Sequence, residues 1–106
     1  MSQLTRYGNR QPYRLTVAPG ATCTLTLDSA YHTPFLAALQ NTSSLGTATA
    51  VVRLVDDGIP VPLGINESGT LAAGAIAAVP FPSAVRSITV SQAADADGPV
   101  ILEVLQ

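Results

Sequence analysis

From Tyr13 onward the side-chain pattern has a period of two. In residues 22–28, Cys23, Leu25 and Leu27 alternate with Thr22, Thr24, Thr26 and Asp28. Successive side chains of a strand point to opposite faces, so this pattern predicts a half-buried β-strand. Residues 13–18 place Tyr13, Leu15 and Val17 on one face in the same way. Pro19-Gly20 between the two runs fits a type II turn, because proline fixes φ and glycine takes a positive φ. The two strands are expected to pair as a hairpin.

Residues 34–40 hold Phe35, Leu36 and Leu39, which would also line a turn of helix. The run is short and ends in Asn41-Thr42-Ser43-Ser44, a string of loop formers, so it reads as a strand. Residues 48–55 form a firmer strand, rich in β-branched residues, with Arg53 on the face of Thr49, Val51 and Val55. Asp56-Asp57-Gly58 is a hairpin turn signal. It leads into Ile59-Pro60-Val61-Pro62-Leu63, whose prolines cannot donate to a ladder and therefore belong on a sheet edge. In residues 69–82 the many alanines favour helix. Against that, Leu71, Ala73, Ala75, Ala77, Val79 and Phe81 alternate, and Gly74 interrupts the run. A strand broken by a bend is expected. Residues 85–91 and 100–105 complete the set, and the nearly all-apolar last strand should be central or covered on both faces. About seven or eight short strands, roughly ten residues apart, predict an all-β protein. Its architecture is an antiparallel two-sheet sandwich or jelly-roll.

The first fourteen residues, MSQLTRYGNRQPYR, do not share this pattern. They carry Arg6, Arg10 and Arg14 and no acid, while Gly8 and Pro12 oppose a helix. Residues 1–13 therefore read as an extended N-terminal arm on a single sandwich domain of residues 14–106. The first fourteen residues hold a charge of +3 and the remainder −5.

Charge changes the functional picture. Only 11% of residues are charged against 47% hydrophobic, and lysine is absent. Typical soluble domains carry about 25% charged residues. A surface built from Thr, Ser, Ala, Pro and Gln tolerates dry contact, because few ions need desolvating. An alanine-rich coding bias would give the same composition; a chain that works packed in an assembly is the preferred reading. The arm supplies the candidate site: Arg6, Arg10 and Arg14 interleaved with Tyr7 and Tyr13. Such residues bind phosphates and stack on bases, or lie along an acidic protein surface. Nucleic-acid binders are usually basic throughout, and this body is acidic, so protein docking is expected rather than nucleic acid.

Little else carries chemistry. A Cys23–His32 nucleophile pair is opposed by Cys23 sharing a strand face with Leu25 and Leu27, where cysteine is a small core residue. Asp95 and Asp97 offer oxygens to calcium, but the ligand loop is incomplete and turns use the same residues. One cysteine forms no internal disulfide. No enzymatic activity, cofactor or metal is expected. No membrane span is expected either, since the longest weakly polar stretch, residues 69–82, contains Pro80 and Pro82. No apolar run follows Met1, so no secretion signal is expected.

The Pro-Gly hairpin of residues 15–27, then Leu39-Gln40-Asn41-Thr42-Ser43-Ser44 leading into residues 48–55, with the arm before them, resembles small bacteriophage virion proteins. The nearest type is the head decoration (cement) protein. The resemblance implies a structural protein on the virion, made in the host cytoplasm, that clamps neighbouring major capsid protein or other virion subunits. It also implies a homo-oligomer, in many cases a trimer. The alternative is a small tail or fibre module contacting a host glycan or protein.

Overall fold

The computed structural model describes residues 12–27, 36–66, 68–81 and 85–105. They form nine strands: β1 (Pro12–Val17), β2 (Thr22–Thr26), β3 (Leu36–Asn41), β4 (Ala48–Arg53), β5 (Val61–Pro62), β6 (Thr70–Leu71), β7 (Ile76–Pro80), β8 (Ser87–Ser91) and β9 (Val100–Leu105). Sheet A runs β1-β9-β3-β7 and sheet B runs β2-β8-β4-β5, with β6 also pairing β4. All ladders are antiparallel. Apart from β5 and β6, which stay in sheet B with β4, each strand lies in the opposite sheet from the strand before it. This is the wrapping of a jelly-roll, one of the two expected architectures.

The core lies between the sheets. Val17, Leu27, Leu39, Ile88, Leu102 and Val104 are all essentially inaccessible to solvent. β9 is central, between β1 and β3, as its apolar run predicts. Its alternate residues Val100, Leu102 and Val104 fill the core, whereas Ile101 and Leu105 on the outer face are half-buried and Glu103 is exposed. β5 takes the sheet edge that its flanking prolines require.

Three details differ from the sequence reading. The expected hairpin of β1 and β2 is not formed: β1 pairs with β9 and β2 with β8. The Pro19-Gly20 turn exists, with Gly20 at φ 78° and the Ala21 amide donating to the Ala18 carbonyl at 3.0 Å. It carries the chain from one sheet to the other across the core. Alternation fixes which residues face inward, and a corner between sheets satisfies it as well as a hairpin does. Residues 69–82 break at a bend, as expected, with Gly74 at φ 74°. The halves join different sheets as β6 and β7, which raises the count to nine. At the N-terminus the ladder starts at Pro12, so Pro12 and Tyr13, grouped with the arm, are paired to Leu105 and Val104.

Candidate interaction surface

The two outer faces differ in kind. On sheet B, register sets Thr22 beside Ser91, Thr24 beside Thr89 and Thr26 beside Ser87. The hydroxyls of Thr22 and Ser91 lie 3.0 Å apart, as do those of Thr24 and Thr89. Arg53 Nη1 donates to Thr89 Oγ1 at 3.1 Å. This face satisfies its own polar groups and suits water, the ordinary condition of an antiparallel sheet's outer side.

Sheet A does not follow that rule. Reading across its outer side, one row holds Leu105, Leu36 and Pro80. The next holds Arg14, Glu103, Ala38 and Ala78, and the third Thr16, Ile101, Gln40 and Ile76. Ile76 is 72% exposed. The charges on this face form one loose pair, Arg14 Nη1 to Glu103 Oε2 at 3.7 Å, with both side chains largely in solvent. A groove of about 420 Å³ opens here, lined by Tyr13, Arg14, Leu36, Ala38, Glu103 and Leu105. Contiguous exposed apolar surface of this sort marks contact sites.

Of the five site residues read from the sequence, the structure brings Tyr13 and Arg14 together at this groove. Tyr13 sits on the inward side of β1 at the open end of the sandwich and is 37% exposed. Arg14 points outward and holds its ion pair within its own chain. Arg6, Tyr7 and Arg10 lie outside the described residues, as does His32. The apolar groove residues were not singled out by sequence reasoning. They come from separated strands, and the visible signal, the apolar run of residues 100–105, pointed to coverage without naming the cover.

The opposite end of the sandwich is a polar clasp. Asn41, fully buried, donates from Nδ2 to the Leu71 and Gly46 carbonyls, and its Oδ1 accepts from the Ser43 amide and from Gln92 Nε2. Asp97 closes the clasp from outside by accepting from the Ser44 hydroxyl, the Ser44 amide and the Ser43 hydroxyl. These donors hold its carboxyl at about 2, below the ordinary 3.8, with the Ser44 hydroxyl the largest contributor and the Ser44 amide next. Hydrogen bonds to the charged form account for that direction. Because the folded value lies below the unfolded one, the clasp's contribution is complete above about pH 4 and is lost as pH falls towards 2. Thermal melts between pH 5 and pH 2 should show this loss, and Asp97→Asn should flatten the dependence in that window. The serine contacts give Asp97 a loop-fastening role. Among the described residues no three His, Cys, Asp or Glu side chains converge to hold a metal.

Cys23 is half-buried and packs against the core, in line with the face it shares with Leu25 and Leu27. No helix is long and apolar enough to cross a membrane among the described residues.

No family model and no curated protein matches the chain. Among solved structures, it is similar to a protein of Bacillus endospore appendages, which form a family of disulfide-linked pili. The alignment has a TM-score of 0.62 at 14% identity and covers 98% of this chain and 96% of that one. At that identity the likeness establishes a shared fold: this chain is a two-sheet antiparallel β-sandwich of the kind found in that appendage protein.

Proposed function

We propose that the chain is a non-enzymatic structural subunit that works docked in a larger protein assembly. The outer side of sheet A, together with the arm residues Arg6, Tyr7 and Arg10, is its contact surface. The observation that carries this is the apolar outer face of sheet A, set against a hydroxyl-covered face on sheet B. The scarcity of charge supports it, since such a surface is inexpensive to desolvate. The appendage protein supports it further as an example of this fold in an assembled polymer. The narrower form of the proposal is a decoration protein on a bacteriophage head, bridging coat subunits.

Copy number on purified particles tests the reading. Hundreds of copies per particle support lattice decoration, a few copies a tail or fibre position, and absence from every sedimenting assembly overturns the proposal. The arm is tested by replacing Arg6, Arg10 and Arg14 together with Ala. Losing the exposed Arg14–Glu103 pair costs about 1 kcal/mol at most, so the fold should persist. Attachment to particles should weaken by roughly 2–3 kcal/mol if the guanidinium groups are buried on docking. High salt should reduce the difference only if they sit on a wet rim, where charges are screened over about 8 Å. Equal occupancy of wild type and variant at every salt level excludes the arm as anchor.

The appendage pili are disulfide-linked. The 106 residues contain one cysteine, and a disulfide consumes two, so linkage through Cys23 ends at a pair. Assembly should therefore survive reductant unchanged, as seen by sedimentation with and without a reducing agent.

A further inference from the structure

A second apolar feature stands at the end of sheet B. The loop between β4 and β5 exposes Leu54, Val55 and Ile59, the last to 81%. It is held rigidly for a loop. The Gly58 amide donates to the Val55 carbonyl at 3.0 Å, Asp57 sits at φ 58°, and Pro60 and Pro62 restrict the return. Arg86 pins its base, donating from Nε to Asp56 at 2.9 Å and from Nη1 to the Leu27 carbonyl at 3.0 Å. Aliphatic side chains displayed on a braced turn are preorganised for insertion and lose little freedom on binding. The loop belongs to sheet B, and the groove opens on the far side of sheet A.

Resting on the assembly reading above, we propose that the 54–61 loop of one copy seats in the sheet A groove of a second copy, head to tail. The groove offers an aliphatic floor in Leu36, Ala38 and Leu105, and about 420 Å³ is room for several branched side chains. Charge complements shape. Asp57 carries no ion pair among the described residues, while Arg14 in the groove is held only by its loose, exposed contact with Glu103. The Arg14 guanidinium can turn to an incoming carboxylate, and an arginine fork suits that partner. Because loop and groove are different patches, the contact is heterologous, and its repetition gives a ring or an open filament instead of a closed two-fold pair.

The full chain tests this by sedimentation velocity over rising concentration to about millimolar, the range in which weak contacts register. Wild type should gain mass with concentration. Ile59→Asp and Ala38→Arg, both at outward positions that leave the core intact, should each weaken self-association at least tenfold. The decisive sample is an equimolar mixture of the two. One variant keeps a working groove and the other a working loop, so the mixture should stop at a one-to-one dimer. Asp57→Arg should weaken wild-type association, and Arg14→Glu should restore it. A mixture that stays monomeric, or variants that associate as wild type does, overturns the proposal. Wild type that remains monomeric yet is found in quantity on purified particles overturns it too, and leaves the assembly reading standing.

Discussion

Gly69→Ala is expected to destabilise the fold by about 4 kcal/mol, the largest effect of any conservative change outside the core. Gly69 is buried at φ 69°, where β5 and β6 converge on β4. A Cβ there would stand 2.5 Å from the Ala50 carbonyl oxygen and 3.2 Å from the Leu63 amide nitrogen. Both neighbours are backbone and cannot swing aside. They are also engaged: Leu63 donates to Ala50 at 3.0 Å, and the Ala50 amide donates to the Gly69 carbonyl at 2.8 Å. Relieving the contact breaks one of these bonds or moves β4. The left-handed conformation alone costs an alanine about 1–2 kcal/mol. Gly74 isolates that part, because it has nearly the same φ and an added methyl there would meet nothing within 4 Å. Gly74→Ala should thus cost about 1 kcal/mol. Denaturant melts of the two variants, compared at equal slope, read the difference as the steric share. Similar losses at both positions would mean that the backbone around Ala50 yields easily.

Asn41→Ala is expected to cost about 3 kcal/mol. The side chain is entirely buried and its four hydrogen bonds reach β6, the 42–47 loop and Gln92. Truncation leaves the Leu71 carbonyl, the Ser43 amide and one Gln92 donor buried and lacking these partners. Each such group costs about 1–3 kcal/mol, and partial relaxation and water entry reduce the sum. A fall in melting temperature of roughly 12–24 °C corresponds. The coupling of Asn41 with Gln92, measured by a double-mutant cycle, should reach about 1 kcal/mol, since their contact is 2.8 Å and buried. Docking should be untouched by this substitution below the melting temperature. Asn41 pairs with Val100 at one end of β9, whereas the groove lies towards Leu105 at the other. Weakened docking of a folded Asn41→Ala protein would place the contact surface at the clasp.

The arm shows how far residue type alone reaches. Arginine and tyrosine around Gly8 and Pro12 stand out from an acidic, charge-poor body without any structure. Residue type does not show that Tyr13 and Arg14 are laddered to Val104 and Glu103. Their strand character depends on β9, at the far end of the chain. The groove beside them was illegible for the same reason. Leu36, Ala38 and Leu105 are unremarkable in their own segments, and they form a surface only because β3 and β9 are neighbours.

Local order determined what sequence alone could deliver. The two-residue alternation in residues 22–28 specified a strand and its inward face, and β-branched residues marked a strand in 48–55 that the structure ends at Arg53. The two prolines near Val61 sent that segment to an edge, and Gly74 fixed a break. Each of these follows from backbone geometry within a few residues. Tertiary structure decided the rest. Hairpin or crossover at Pro19-Gly20, the partner of each strand, and the chemical character of each outer face depend on pairings between distant segments. An alternating strand obeys the same inside-outside rule whichever neighbour it takes, so its pattern leaves the neighbour open. Shared burial of Val17, Leu27, Leu102 and Ile88 in one core selects the jelly-roll order, and with it the apolar face of sheet A.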